Sequence, residues 1–325
     1  MAAHGRGEPV NARRALLPLA TGLVLAAGIW LAVTAIAQLP TSSPDQSQAA
    51  QLPTGPTTDP AAGASKPPAA DPSSSTSAGT ATPGGLPGTA TGRWQPKVGA
   101  SWQWQLSGKT DLTVAADVYD LDAFTTTAEQ VADLHRAGRK VICYVNAGAY
   151  EEFRPDRGRY PAEVLGSDLS GWPGERWVDI RRWDLLQPIL TARFTMCRDK
   201  GFDGVEPDNV DAYANDSGFP LNAADQLEFN RRVAKLARDL GLAVGLKNDV
   251  EQAADLVGVM DFAVNEECAK YRECSALSVF ITAGKPVFHV EYELPPAAFC
   301  PVTKPLGFSS IGKPPALGAQ RTACP

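Results

Sequence analysis

Residues 201–213 read GFDGVEPDNVDAY, and this stretch predicts a β-strand that ends in a group of crowded acids. Small and apolar residues run through it as far as Asp208, and Glu206, Asp208 and Asp211 stand close together at its end. Carboxylates this close raise one another's pKa, so a fold keeps them together only where water, a cation or a reaction uses them. The stretch therefore predicts a strand that leads into a functional site.

Seven further short apolar runs are strand candidates, and nearly all of them also end in polar or charged residues. They lie at 101–106, 113–120, 140–148, 242–249, 260–267, 286–293 and 306–312. Helical patterns lie between them at 126–137, 182–199, 222–240, 249–257 and 272–283. Strands that alternate with helices predict an α/β fold with a parallel sheet, and eight strands in about 230 residues predict a (β/α)8 TIM barrel. Only LSGKTDL, residues 106–112, separates the first two strands, which is too short for a crossover helix.

The composition divides the chain into three regions. Residues 15–37 carry no charge and follow two arginines, so residues 1–37 are predicted to be a signal peptide or a membrane anchor. Residues 38–92 consist mostly of Pro, Ser, Thr, Ala, Gly and Gln, which predicts a disordered linker. Residues 93–325 then form the TIM-barrel domain, which is either secreted or held at the outer face of the cell membrane by the N-terminal segment.

The charge of the barrel domain limits its partners. The whole net charge of −6 lies on residues 93–325, because the leader and the linker carry equal numbers of acids and bases. Proteins that bind nucleic acid are basic, so we expect no nucleic-acid partner, whereas a cationic ligand is compatible. We expect no metal or other cofactor, because the chain has only three His and no C-x-x-C pair. We also expect a monomer that touches the membrane only through a possible N-terminal anchor.

All six cysteines lie in the barrel domain, and an even number in an exported protein predicts disulfides. The expected pairs are Cys268 with Cys274 and Cys300 with Cys324, which are local, and the remaining Cys143 with Cys197.

The acids and amides at the strand ends predict an active site. In a parallel barrel the carboxyl ends of all strands meet at one mouth, where active sites lie. Carboxylates without metal, His or Cys suit glycoside hydrolysis, in which one carboxylic acid protonates the leaving oxygen and another carboxylate acts as nucleophile or base. Alternation places Glu206 and Asp208 on the same side of their strand, and Glu266 lies at a comparable height two strands further round.

A run of motifs over residues 100–293 resembles a known family. The motifs are, in order, WQWQL, VYDLDAF, KVICYVNAGAYE, FRPDRG, GWPGERWVDIR, GFDGVEPDNVDAY, GFPLNAADQLEFN, GLKND, FAVNEEC and VFHVEY. Together they resemble glycoside hydrolase family 114, the endo-α-1,4-polygalactosaminidases. The resemblance implies a TIM barrel that cleaves α-1,4-linked galactosamine polymers, such as the partly deacetylated galactosaminogalactan of biofilms.

The resemblance also implies a catalytic Asp on the fourth strand and a catalytic Glu on the sixth. These positions fall on Asp208 in EPDN and Glu266 in NEEC, with Glu206 as the nearest rival for the first role and Glu267 as a weaker rival for the second. We expect Asp208 to stay ionised and to attack or stabilise the anomeric carbon, and Glu266 to donate the proton. Whether the reaction retains or inverts configuration depends on the distance between the two carboxyl groups.

A further set of residues near the strand ends is expected to bind the substrate. The set is Trp104, Asp120, Asp122, Tyr144, Asn146, Asn209, Lys247, Asn248, Asp249 and Glu291. Its acids would attract the ammonium groups of a cationic aminosugar polymer, and Lys247 would lower the pKa of a neighbouring acid. Two alternatives stay open: a barrel that binds an aminosugar polymer without cutting it, and a hydrolase for a different aminosugar glycan.

Overall fold

The computed structural model describes residues 92–325. The predicted signal or anchor segment at 15–37 lies outside the described residues, and so does the predicted linker up to residue 91. Between residues 92 and 325, no helix combines the length and the apolar character that crossing a bilayer requires.

The described residues form a series of strands and helices. In chain order the strands are β1 (Trp102–Gln105), β2 (Val118–Asp122), β3 (Lys140–Asn146), β4 (Ala149–Glu151), β5 (Leu165–Asp168), β6 (Glu175–Val178), β7 (Gly204–Asp208), β8 (Ala243–Lys247), β9 (Phe262–Glu266), β10 (Val287–Glu291), β11 (Ser309–Gly312) and β12 (Thr322–Ala323). The α-helices are α1 (Ala128–Arg136), α2 (Trp183–Asp199), α3 (Ala223–Asp239), α4 (Ala253–Leu256), α5 (Cys268–Tyr271), α6 (Ser278–Thr282) and α7 (Pro296–Thr303).

The main sheet has the strand order β1-β2-β3-β7-β8-β9-β10-β11-β12. In this sheet, every pair of neighbouring strands is parallel except the last, because β12 is antiparallel to β11. The sheet curls so that its two ends meet. The contact is a hydrogen bond in which the indole nitrogen of Trp102 on β1 donates to the carbonyl of Ser309 on β11 at 2.8 Å. Arg321, just before β12, also donates to the carbonyl of Trp102. The predicted parallel sheet with helices is therefore confirmed, and it has the curled form of a barrel.

Alternation along each strand sorts its side chains between the interior of the curled sheet and the surrounding helices. On β9, Phe262 and Val264 pack with the side chains of other strands in the interior, whereas Ala263 packs toward the helices. Glu266 follows Phe262 and Val264 at intervals of two, so it belongs to the interior series at the carboxyl end of the strand. On β8, Gly245 leaves room for this packing, since a Cβ there would lie 2.3 Å from the ring of Phe262.

Several predicted boundaries differ from the structure. The second strand begins at Val118 rather than at 113, because the preceding residues form a loop whose Val114 carbonyl accepts a hydrogen bond from Tyr119 Oη at 2.6 Å. The predicted helix at 249–257 is a 3-10 turn followed by the short α4. The α-helices at 268–271 and 296–303 had not been predicted.

A small second sheet had also not been predicted. Strands β4, β6 and β5 form it, in that order and antiparallel, between β3 and α2. It follows directly from the carboxyl end of β3, so it stands at the mouth of the curled sheet.

Three disulfides tie these elements together. The bonds are Cys143–Cys197, Cys268–Cys274 and Cys300–Cys324, the pairs that the sequence led us to expect. The first joins β3 to α2, and the third joins α7 to the C-terminal segment. No free cysteine is present among the described residues.

Candidate active site

Three neighbouring strands end in charged residues that face one interior. β7, β8 and β9 lie side by side, and their last residues are Asp208, Lys247 and Glu266. Each of the three belongs to the interior series of its strand, because inward-facing positions recur every second residue. The three side chains therefore converge at the carboxyl end of the sheet.

Lys247 lies between the two carboxylates and contacts both. Its Nζ is 2.7 Å from Asp208 Oδ1 and 3.0 Å from Glu266 Oε2. These two oxygens are thus no farther apart than the sum of the two distances, 5.7 Å. The ammonium group also lies 5.1 Å from the centre of the Trp104 ring, whose face stabilises a cation.

Hydrogen-bond donors hold the remaining carboxylate oxygens. Tyr144 Oη donates to Asp208 Oδ2 at 2.7 Å, and Tyr292 Oη donates to Glu266 Oε1. Asn248 fixes Glu266 twice, because its Nδ2 donates to Oε2 at 3.0 Å and its Oδ1 accepts from the Glu266 backbone nitrogen at 2.9 Å. Both carboxyl groups are therefore oriented before any substrate binds.

The same contacts control ionisation. Burial alone would raise the pKa of Asp208, but the charge and hydrogen bond of Lys247 and the hydrogen bond from Tyr144 outweigh it, so that this pKa is lowered. Burial would lower the pKa of Lys247, and the three acids around it raise it well above its ordinary value instead. Asp208 is therefore a carboxylate and Lys247 an ammonium at neutral pH.

A second pair of acids lies beneath this group. Asp120 on β2 and Glu206 on β7 are fully buried, and Glu206 Oε1 lies 3.7 Å from Lys247 Nζ. Within residues 92–325, no hydrogen-bond partner contacts any of their four carboxyl oxygens. Burial and mutual repulsion raise the pKa of Asp120 well above its usual value, and burial raises that of Glu206 to about 7. Burial thus favours the protonated form of both acids, whereas the charge of Lys247 favours a negative charge on Glu206.

A cleft of about 890 Å³ opens above Asp208, Lys247 and Glu266. Eight acids and two bases line it, and aromatic side chains from Trp104, Tyr144, Phe153, Trp172 and Trp177 form much of its wall. Both Asp208 and Glu266 reach its surface, with 16% and 26% of their side chains exposed. A cleft with two close carboxyl groups, an acidic lining and aromatic walls has the equipment to cleave a glycosidic bond in a cationic sugar chain.

Comparison with known families agrees with this chemistry. The model of glycoside-hydrolase family GH114 matches residues 85–325. The chain belongs to family GH114. It is accordingly a glycoside hydrolase, as the resemblance of its motifs implied.

Relatives of this GH114 protein include two solved structures and one curated protein. The structure of Aspergillus fumigatus Ega3 in complex with galactosamine is 40% identical, with a TM-score of 0.69, and the alignment covers 72% of this chain and 99% of that one. The glycoside hydrolase domain of Pseudomonas aeruginosa PelA is 16% identical, with a TM-score of 0.55 over 69% of this chain and 98% of that one, and it shows the same fold. An uncharacterized protein of Deinococcus radiodurans is 31% identical over 206 residues, which are 57% of this chain and 66% of that protein, slightly less than two thirds of its length.

The predicted binding residues of the GH114 protein separate into two groups. The residues that line the cleft are Trp104, Asp122, Tyr144, Asn209, Lys247 and Asn248. The residues that do not line it are Asp120, Asn146, Asp249 and Glu291. Of the two rival acids, Glu206 lies below the cleft, and Glu267 is bonded to Lys270 at 2.9 Å.

Glu291 and Asp249, which lie outside the cleft, have other partners. Glu291 belongs to the outward series of β10, where its carboxylate contacts His289 at 3.0 Å and accepts from the backbone nitrogen of Ala269 at 2.9 Å. Asp249 accepts a hydrogen bond from Asn230 of α3 at 2.8 Å, and both residues are buried. Asp122 lines the cleft, but Arg154 binds its carboxylate at 2.7 Å.

Several of the cleft residues that sequence reasoning missed come from the small sheet. Phe153, Trp172, Glu175 and Trp177 all line the cleft and lie in or beside β4, β5 and β6. The only available signal was the alternation in ERWV, residues 175–178, which places Glu175 and Trp177 on one side of a strand.

Proposed function

We propose that this GH114 protein hydrolyses α-1,4-linked galactosamine-containing polysaccharide at internal linkages of the polymer, with Asp208 and Glu266 as the two reacting carboxyl groups. The observation that carries the proposal is the position of Lys247, in contact with both carboxylates at the floor of an acidic cleft. An ammonium beside a carboxyl group stabilises its charged form, and Lys247 lies nearer to Asp208, whose pKa is lowered.

Asp208 is the nucleophile in this proposal, and Glu266 is the proton donor. Asp208 has the lowered pKa, and Glu266 has the more exposed side chain of the two. An oxygen–oxygen distance of at most 5.7 Å favours the retaining geometry, in which the carboxyl groups lie about 5–5.5 Å apart. In the first step Asp208 attacks the anomeric carbon while the glycosidic C–O bond breaks and Glu266 protonates the departing oxygen. In the second step water attacks the same carbon, gives its proton to Glu266 and releases Asp208.

Lys247 suits both steps. Before the first step the negative charge lies on Asp208, and after it the charge lies on Glu266, because Asp208 is esterified and Glu266 has lost its proton. Lys247 Nζ contacts both groups, so the cation remains paired with the negative charge wherever it lies.

The substrate class follows from the charge of the cleft. Galactosamine units with free amines carry positive charge near neutral pH, and eight acids against two bases would attract them. The 40% identity to Ega3, whose structure contains galactosamine, supports the same sugar for this chain.

We propose the following setting for the enzyme. Eight parallel strands and the contact between β1 and β11 support a (β/α)8 barrel as the scaffold. Residues 1–37 would serve as signal peptide or membrane anchor and residues 38–92 as linker, with the monomeric barrel domain outside the cell. Three disulfides in the described residues support an oxidising compartment.

The test is to incubate the full chain with purified galactosamine-rich polymer and to measure new reducing ends. Asp208→Asn and Glu266→Gln should abolish their appearance, whereas Glu228→Gln on the surface of α3 should not change it. Polymer that binds and never shortens would favour the non-catalytic barrel, and cleavage of only another aminosugar glycan would favour the second alternative. Cleavage unaffected by either active-site change would overturn the assignment of Asp208 and Glu266.

A further inference from the structure

Glu175 lies directly across from another acid. It pairs with Glu151 between β6 and β4, and both side chains line the cleft. Like charges at directly opposed positions of an antiparallel pair destabilise it. The charge of Glu151 is balanced, because its carboxylate contacts Arg154 at 2.8 Å and Arg193 at 3.4 Å. Glu175 has no such ion pair, so a negative charge on Glu175 would destabilise the fold unless a cation from outside the protein balanced it.

The two nearby guanidinium groups are occupied by other acids. Arg154 also binds Asp122 at 2.7 Å, and Arg193 binds Asp156 through two hydrogen bonds of 2.8 and 2.9 Å. Within residues 92–325, Glu175 forms no ion pair, and its hydrogen-bond donor is the neutral amide of Asn146, 3.1 Å from Oε2. The carboxyl group of Glu175 thus lies in the cleft wall with no cation of the described residues in contact with it.

Glu175 is also held in a fixed orientation. Asn146 is fully buried, and its own Oδ1 accepts from the backbone nitrogen of Ala149 at 2.9 Å. The Nδ2 of Asn146 is therefore directed at Glu175, and only 9% of Glu175 is exposed. A binding side chain that is already held in one orientation loses little conformational entropy when a ligand binds.

The surroundings of Glu175 favour a cation that arrives from the cleft. Burial, together with the charges of Glu151 and Asp208, raises the pKa of Glu175 to about 7, against the opposing effect of Arg154 and the Asn146 hydrogen bond. A cation in contact with the carboxylate would reverse this effect and stabilise its charged form. Trp177, two residues along the same face of β6, lines the same wall and offers an apolar surface beside the carboxylate.

We propose that Glu175 receives the free amino group of a galactosamine unit in the cleft and thereby makes the enzyme prefer deacetylated units over N-acetylated ones. The inference rests on the function proposed above and adds to it a specificity-determining residue. An ammonium group supplies the missing positive charge and donates hydrogen bonds to the carboxylate. An N-acetyl group is neutral and larger, so it would leave the buried carboxylate without a cation.

Two measurements on the full chain test the inference. The first is calorimetric binding of galactosamine and of N-acetylgalactosamine. The second is kcat/KM on deacetylated galactosamine polymer and on the same polymer after chemical N-acetylation. For Glu175→Gln, which keeps the shape and the Asn146 contact, we expect the preference for the amine form to fall about tenfold in both measurements, mainly through Kd and KM. Glu175→Asp, which keeps the charge, should retain part of the preference.

The matched control is Glu152→Gln, which changes an exposed acid directly after β4 that does not line the cleft, and it should leave the preference unchanged. An equal loss of activity of Glu175→Gln on both polymers, or an unchanged preference, would overturn the inference while leaving hydrolysis established. A wild-type protein that binds galactosamine through Glu175 and cuts neither polymer would support the inference and refute the proposed function.

Discussion

The Nζ atom of Lys247 lies 2.7 Å from Oδ1 of Asp208, at the carboxyl ends of two neighbouring strands. Only 4% of the lysine side chain is exposed, so water does not screen this ion pair as it would at the surface. The pair lowers the pKa of Asp208 despite its burial. The other contact of Lys247, with Glu266, extends this control to both carboxyl groups of the cleft.

Replacing Lys247 tests that control. We expect Lys247→Met to reduce kcat about 100-fold or more, because a charge placed for the transition state is lost from a site that excludes water. The acid limb of the pH profile of kcat/KM should move to higher pH, since the pKa of Asp208 rises once the ammonium is gone. Lys235→Met, on the exposed face of α3, is the control. An acid limb that stays in place would show that Lys247 does not set the ionisation of Asp208.

The proposed roles of Asp208 and Glu266 differ in their dependence on the leaving group. Glu266→Gln should lower kcat about 10²–10⁴-fold on polymer, the usual contribution of general acid catalysis. With an activated aryl galactosaminide, whose leaving group needs no proton, the loss should be much smaller. Asp208→Asn should be inactive on both substrates, because no nucleophile remains. If the two variants respond alike to the leaving group, the roles as assigned are wrong.

The buried pair Asp120 and Glu206 should make stability depend on pH. Both pKa values are raised by folding, so the folded state binds more protons than the unfolded state, and stability is lost as the pH rises from about 4 through about 7. Asp120→Asn removes one acid and leaves an amide that can donate to Glu206. We expect this variant to exceed the wild type in free energy of unfolding by roughly 1–3 kcal/mol at pH 8 and to match it at pH 4. Urea unfolding at both pH values measures the difference, and equal values at pH 8 would contradict the raised pKa values of the pair.

The disulfides should differ in their contribution to stability. Cys143–Cys197 spans 54 residues of sequence and Cys268–Cys274 only 6, and a longer closed loop restricts the unfolded chain more. Replacing both cysteines of the first pair by Ala should cost roughly 2–5 kcal/mol of unfolding free energy, and the same change in the second pair should cost less. Chemical denaturation of the two double variants gives the comparison. A larger loss for Cys268–Cys274 would mean that packing around the bonds, rather than loop length, decides their effect.

Much of the site could be predicted because it depends on short-range pattern. The alternation in GFDGVEPD places Glu206 and Asp208 on one side of a strand whatever surrounds it, and the structure agrees, because Val205, the neighbour of Glu206, packs on the opposite side, toward the helices. The local pairs Cys268–Cys274 and Cys300–Cys324 could be inferred from sequence separation in the same way.

The remaining features depend on contacts between distant segments. Alternation does not tell which side of a strand faces inward, so Glu291 was expected at the mouth although it lies on the outward series of β10. It also does not give depth, so Asp120 was expected in the cleft although it lies beneath it. The small sheet brings Glu175 into the cleft. In it β5 pairs with β6 through a shift in register, which a short sequence pattern does not predict.

Family membership, most strands of the main sheet and the position of Asp208 and Glu266 at the ends of two of these strands follow from the chain read locally. Three features appear only in the folded protein: Lys247 lies between those two acids, Asp120 and Glu206 are buried side by side with raised pKa values, and Glu175 has no cation in contact with it. The physical reason is that the charge state of a buried group depends on the distance to every neighbouring charge. Those distances exist only once separate strands have come together.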